Sequence, residues 1–122
     1  MTAIVVFAHG SSLAAANDRV RIVARGVQER GSYKYVEPAF LEMAKPDLPS
    51  VVECLVAEGV KKFLILPYFL TPGVHLRHDL PRIVDELHSI HKDIQIQIAP
   101  PLDGHPALGQ ILDDRAKEAL GE

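Results

Sequence analysis

At 122 residues, of which 48% are hydrophobic and 24% charged, the sequence has the composition of one ordinary globular domain, and we expect residues 1–122 to fold as a single unit. The net charge is -3, and the 13 lysines and arginines are scattered rather than clustered, which argues against a nucleic acid partner. The first apolar run, Ala3 to Ala8, is too short to cross a membrane. The single cysteine, Cys54, cannot form an internal disulfide, so we expect a cytoplasmic protein with Cys54 as a thiol of the core.

Strand and helix patterns alternate along the whole chain. In chain order, the apolar spacing and the turn residues predict a strand at 3–8, a helix at 14–30 capped by Gly31, a weak strand at 33–40, a helix from 47 or 49 that Gly59 ends, a strand at 63–70, a helix from about 80 to about 91, a strand at 94–98 and a last helix after 106. The first strand is continuously apolar, which is typical of a strand buried on both faces. The fourth alternates between isoleucine and glutamine, so we expect it toward an edge. This order predicts an α/β fold: a four-stranded parallel sheet with helices on both faces, in a flavodoxin-like three-layer sandwich.

Chemically competent side chains follow three of the predicted strands. His9 ends the first strand, Glu42 follows the second, and His75 lies in the connection after the third. Because ligands of parallel sheets bind beyond the carboxyl ends of the strands, we expect these three residues to share one rim. Two imidazoles and a carboxylate can accept protons, and they suit a divalent first-row metal with open coordination positions.

The connection that carries His75 has its own predicted structure. We expect Pro72 and Gly73 to end regular structure and to leave His75 on irregular backbone. Asp79 is then expected to cap the next helix, with Pro81 in its first turn.

The candidates also have structural alternatives, although the position of His9 at a strand end favours a functional role for it. Glu42, in a turn before a helix, is as readily a solvated side chain, and His9 can simply end its strand. Ser11 and Ser12, with the amides of a helix start, could hold a carboxylate or phosphate, but plain capping explains them equally well.

The other four histidines have simpler explanations. His78 is expected at the surface or in a cap, His88 and His91 suit the negative end of a helix dipole, and His105 lies in a Gly-His-Pro turn. The sequence contains no GxGxxG motif, no P-loop and no cysteine cluster, so nucleotide cofactors and a closed structural zinc site find no support.

Several stretches taken together resemble the CbiX/SirB sirohydrochlorin chelatases, which are class II tetrapyrrole chelatases. These stretches are Ala8-His9-Gly10-Ser11, then Phe40-Leu41-Glu42 with Pro46, then Leu66 to His75 followed by Asp79 and Pro81, and finally Pro101 to Pro106. The similarity covers essentially the whole chain. AHGS alone is a weak signal, but joined to P-x-F-L-x-x-G-x-H-x-x-x-D-x-P at this distance it is quite specific.

The resemblance implies an enzyme that inserts a divalent metal into sirohydrochlorin without nucleotide hydrolysis, for cobalamin or sirohaem synthesis. Co²⁺ is the first expectation for the metal substrate, with Fe²⁺ or Ni²⁺ as alternatives. By the same resemblance, His9 and His75 match the two catalytic histidines and present the metal, and Glu42 matches their acidic partner. The single set of motifs resembles the short form of the family, which works as a homodimer.

Sirohydrochlorin carries many carboxylates while the protein is acidic, so positive groups near the site are expected to bind them. Ser11 and Ser12 with nearby amides, and Arg77 or Arg82, are the candidates, although both arginines are as readily solvated. Two rival interpretations remain: a non-catalytic carrier of metal or tetrapyrrole that uses the same rim, and a flavodoxin-like binding module without metal.

Overall fold

The computed structural model of the protein describes residues 1–71 and 73–122, apart from the side chain of His75. Strands and helices alternate along it as the sequence predicts. In chain order they are β1 (Thr2–Ala8), α1 (Ala14–Gly31), β2 (Val36–Phe40), α2 (Leu48–Ala57), β3 (Lys62–Pro67), α3 (Val74–Ile90), β4 (Gln95–Ile98) and α4 (Ala107–Leu120).

The four strands form one parallel sheet in the order β2-β1-β3-β4. β1 pairs with β2 on one side and with β3 on the other, so that Ile4 lies opposite both Val36 and Leu64. β4 pairs with β3 and forms an edge, as its alternating sequence predicts. The chain leaves β1 toward one edge and β3 toward the other, which makes the crevice between the carboxyl ends of β1 and β3 the topological switch point.

Side chains that alternate along β1 supply the apolar cores on both faces of the sheet. Its odd-numbered residues from Ala3 to Phe7 pack with α2 and α3, and its even-numbered residues from Ile4 to Ala8 pack with α1. Every residue from Ala3 to Ala8 is at most 5% exposed. The predicted three-layer sandwich is therefore confirmed, with α1 on one face and α2 and α3 on the other.

Three element ends around β2 and β3 differ from the prediction. α1 runs to Gly31, and Ser32, in the left-handed region at φ 53°, is its C-cap, so the assignment of Gly31 as the cap was wrong by one residue. β2 begins only at Val36, because the chain needs residues 33–35 to pass from that cap to the sheet. β3 ends at Pro67, three residues earlier than predicted.

Cys54 is exposed, and the prediction of a core thiol was wrong. The buried stripe of α2 consists of Leu48, Val51, Val52 and Leu55. At about 100° per residue, Cys54 lies about 110° around the helix from the centre of that stripe. The helix is so apolar that its sequence alone does not show which side faces the sheet.

The start of α3 is the largest correction. The helix begins at Val74, with Gly73 as the N-cap, and the N–H of Arg77 donates to the carbonyl of Gly73 at 3.1 Å. Asp79 is therefore not a cap but a residue of the second turn. His75 lies in the first helical turn rather than on irregular backbone, and Pro72, expected to end regular structure, lies outside the described residues.

A buried stripe explains why α3 starts early. Leu76 and Leu80 are each 6% exposed and continue the line of Val84 and Leu87 toward the N-terminus. Their burial holds the helix across Pro81, whose missing N–H removes one intrahelical hydrogen bond.

α4 differs from the other helices because none of its residues is buried. Three large apolar side chains, Ile111, Leu112 and Leu120, are 50%, 70% and 70% exposed.

Within the described ranges, no helix is both long enough and apolar enough to span a membrane.

Candidate active site

The carboxyl ends of β1 and β2 are joined beyond the sheet by backbone contacts. The N–H of Leu41 donates to the carbonyl of Ala8 at 2.9 Å, and the N–H of Glu42 donates to the carbonyl of His9 at 3.1 Å. Gly10 permits this approach, since its φ is +94° and a Cβ there would overlap the carbonyl oxygen of Glu42. The backbone thus places His9 beside Glu42.

The two side chains meet directly. Nε2 of His9 lies 2.9 Å from Oε1 of Glu42, and each side chain is 57% exposed. At that distance a protonated Nε2 donates to the carboxylate, which orients the ring and leaves Nδ1 facing other partners. The arrangement is a histidine supported by a carboxylate and open to solvent.

α3 provides the opposite wall of a cleft of ≈ 400 Å³. The residues that line this cleft are His9, Leu41, Glu42, Asp79 and Arg82. Nη2 of Arg82 lies 3.7 Å from Oδ1 of Asp79. The cleft therefore combines the histidine–carboxylate pair with a carboxylate and a guanidinium from α3.

His75 is placed by its backbone one helical turn before Asp79, and its side chain lies outside the described part of the structure. Among the side chains that are described, no group of three or more His, Cys, Asp or Glu residues could hold a metal ion. His9 and Glu42 supply two possible ligands, so a protein site for a metal needs another ligand. That His75 supplies it stays a prediction.

Ser11 is engaged in the turn that leads into α1. Its Oγ accepts a hydrogen bond from the N–H of Leu13 at 3.0 Å, while its backbone N–H and carbonyl bond to the amide of Asn17 at 3.0 and 2.8 Å. Asn17 is 8% exposed and fixes the turn after His9. α1 has Leu13 as its N-cap and no side-chain cap, so Ser11 stabilises the turn before the helix rather than capping it, and substrate binding by Ser11 stays a prediction.

The other predicted residues lie away from the cleft lining. Ser12 is exposed, and Arg77 lines a separate, apolar cavity beside Pro67 and Pro101. Their role in substrate binding stays a prediction.

The four remaining histidines have the local settings expected of them. His78 is exposed, and His88 and His91 lie at the C-terminal end of α3. Nδ1 of His105 accepts a hydrogen bond from the N–H of Ala107 at 3.0 Å, which stabilises the turn before α4.

Two residues of the site were missed by the sequence interpretation. Asn17 has a recognisable signal, because it is a polar residue next to the apolar stripe that includes Val20. Asp79 follows His75 by four residues, a helical spacing that becomes visible only when the helix is known to start at Val74.

Both the sequence and the fold of the chain match those of known proteins. The family model described as CbiX matches residues 3–119. The sirohydrochlorin cobaltochelatase of Methanopyrus kandleri is 33% identical over 142 residues, which cover 100% of this chain and 99% of that protein. A solved CbiX protein of cobalamin (vitamin B12) biosynthesis from Marinobacter aquaeolei is also 33% identical, with a TM-score of 0.86 and coverage of 99% of this chain and 98% of that one. The sirohydrochlorin chelatase SirB from Bacillus subtilis subspecies spizizenii, solved with cobalt, has a TM-score of 0.88 at 24% identity; the match covers 96% of this chain but 50% of SirB.

Proposed function

The chain belongs to the CbiX family, and from that premise we propose that it is an enzyme that inserts a divalent metal ion into sirohydrochlorin. The observation that carries the proposal is the pair of His9 and Glu42, 2.9 Å apart in an open cleft at the switch point of the sheet. Such a pair can both exchange protons and hold a metal weakly.

The reaction exchanges two pyrrole protons for one metal dication, so the site has to accept protons while it presents the metal. Nε2–H of His9 donates to Glu42, which fixes the ring and leaves the Nδ1 lone pair free. Nδ1 then holds the metal transiently or takes a pyrrole proton. Glu42 therefore acts by orienting His9.

The metal is a substrate and has to leave the protein for the macrocycle. Nitrogen and oxygen ligands without a thiolate favour such release. We assign His75, in the first turn of α3, as the second metal-presenting histidine. Co²⁺ is the first expectation because the Methanopyrus kandleri relative is a cobaltochelatase, and Fe²⁺ and Ni²⁺ suit the same ligands. No nucleotide takes part in the proposed reaction.

We further infer that residues 1–122 act as one chelatase domain in the cytoplasm and that two copies form a homodimer. The matches span almost all of the Methanopyrus kandleri and Marinobacter aquaeolei proteins, which supports one domain over residues 1–122. The exposed apolar residues of α4 supply a surface that a second copy could bury. The match to half of SirB leaves room in that longer chain for a second unit of similar size.

The proposal is tested by anaerobic turnover. Purified protein is mixed with sirohydrochlorin and Co²⁺, Fe²⁺ or Ni²⁺, and the absorption of the macrocycle is followed against a protein-free control. We expect His9→Ala to lower the rate by about 100-fold or more, because it removes a proton acceptor, and Glu42→Gln by about 10- to 100-fold, because it removes the support of that acceptor.

His88→Ala is the matched histidine control, since His88 lies in the last turn of α3. It should turn over at the wild-type rate. A rate that survives in the His9→Ala/His75→Ala double variant would contradict the site assignment. Stoichiometric binding of metal or tetrapyrrole without turnover would instead favour the carrier.

A further inference from the structure

The cleft carries charges that metal handling alone does not explain. Glu42 and Asp79 place two carboxylates in its lining, which attract a metal dication but repel a polycarboxylate macrocycle. Arg82 is the one lysine or arginine among the described residues that line the cleft. It is therefore the group there that can offset this repulsion.

Arg82 is held in place by carboxylates on both sides along α3. Its Nη1 donates to Oε1 of Glu86 at 3.0 Å, while its Nη2 lies 3.7 Å from Oδ1 of Asp79. The second distance is too long for a hydrogen bond. Because a guanidinium has five N–H donors and Arg82 is 60% exposed, donors remain available for a ligand in the cleft.

A purely structural role explains this arrangement poorly. Exposed ion pairs at i,i+4 contribute little to stability, and the pair of Arg82 with Glu86 is of this kind. The two carboxylates attract the guanidinium to the lining of the cleft, where it is placed to meet an anionic ligand.

We propose that Arg82 binds a carboxylate of the tetrapyrrole substrate through two parallel N–H donors, with Asp79 and Glu86 as its positioning residues. This inference rests on the proposed function and adds a substrate contact to it. A carboxylate bound at Arg82 holds one edge of the macrocycle on the α3 wall, across the cleft from His9 and Glu42. Guanidinium and carboxylate match in planar, bidentate geometry, which a lysine does not reproduce.

The test separates binding from chemistry. Sirohydrochlorin is titrated into metal-free protein and followed by absorption, and steady-state rates are measured at saturating Co²⁺. We expect Arg82→Gln to raise both Kd and KM about 10-fold or more, with kcat changed less than about twofold, because a charge-assisted contact is lost from bound substrate and transition state alike. Arg82→Lys keeps the positive charge but not the bidentate geometry, so its Kd and KM should lie between those of the wild type and those of Arg82→Gln.

Arg30→Gln is the matched control because Arg30 is an exposed arginine in the last turn of α1, at the end of that helix remote from the cleft. It removes the same charge and should leave Kd and KM unchanged. A folded Arg82→Gln variant with wild-type Kd, or with a lowered kcat alone, overturns the inference while the proposed function stands. A wild-type protein that neither binds nor metallates sirohydrochlorin overturns the proposed function itself.

Discussion

Gly10 is the residue on which the geometry of the site depends. Replacement by alanine puts a Cβ against the carbonyl of Glu42 at a backbone φ of +94°, which a residue with a side chain adopts only under strain. We expect Gly10→Ala to lower the free energy of unfolding by more than about 1 kcal/mol and to abolish metal insertion, because His9 and Glu42 are forced apart. Urea denaturation followed by circular dichroism measures the first effect, and the turnover assay measures the second.

Gly26→Ala is the control for that substitution. Gly26 lies inside α1, and a Cβ there meets nothing within 4 Å, so alanine should stabilise the protein by about 0.5–1 kcal/mol. If Gly10→Ala were as stable and active as the wild type, the close contact between the two strand ends would have no role in the site.

For single residues, the sequence indicates which side chains lie at the ends of strands but not which side chains fix the turns that follow those strands. His9 and Glu42 are predictable because a polar side chain directly after a buried strand must lie at the rim of a parallel sheet. Asn17 acts through two hydrogen bonds to Ser11 that depend on the exact path of the turn. No spacing rule contains that information, and the same holds for the 2.9 Å contact of His9 with Glu42.

At the scale of elements, the pattern predicts existence and order better than ends. The order of strands and helices follows from apolar periodicity, which tertiary burial reinforces. The start of α3 does not, because Asp79 and Pro81 together form a start signal that the buried side chains of Leu76 and Leu80 override. Local propensities are worth about 1 kcal/mol or less, whereas burying one leucine is worth about 1.5–3 kcal/mol, so packing decides the boundary.

The N-cap of α2 gives an element-level prediction with a defined pH dependence. Asp47 accepts hydrogen bonds from Ser50, and these hold the pKa of the Asp47 carboxyl below its ordinary value of 3.8. A carboxylate whose pKa is lowered by folding stabilises the protein above its unfolded pKa, and this contribution is lost as the pH falls through the folded pKa. We expect Asp47→Ala to cost about 1 kcal/mol at pH 7 and clearly less at pH 3, measured by urea denaturation at both values.

Asp47→Asn separates the cap from its charge. Asparagine caps as well as aspartate but does not titrate, so this variant should stay within a few tenths of a kcal/mol of the wild type at pH 7 and should lack the pH-dependent part. An Asp47→Ala penalty that is the same at pH 7 and pH 3 would show that the charge of Asp47 contributes nothing to stability.

At the scale of the whole molecule, three of the four helices cover the sheet, whereas α4 remains exposed. α1, α2 and α3 cover both faces of the sheet, yet α4 buries none of its residues in the described chain. The sequence predicts a last helix after residue 106, but the surface that its apolar residues meet is not determined by one copy of the chain. The homodimer proposed above supplies that surface from a second copy.

The apolar side of α4 is the surface at which we expect the two copies to meet. Ile111 and Leu112 lie on the apolar side of α4, whereas Gln110 lies about 160° around the helix from Leu112. A buried charge without a partner is costly, so we expect Leu112→Glu to be a monomer at about micromolar protein concentration, where the wild type is expected to be a dimer. Gln110→Glu adds the same charge on the opposite side of the helix and should leave the dimer intact. Light scattering coupled to size-exclusion chromatography measures both masses. A Leu112→Glu variant that remains dimeric would place the interface elsewhere, and a monomeric wild type would remove the second copy from the proposed enzyme altogether.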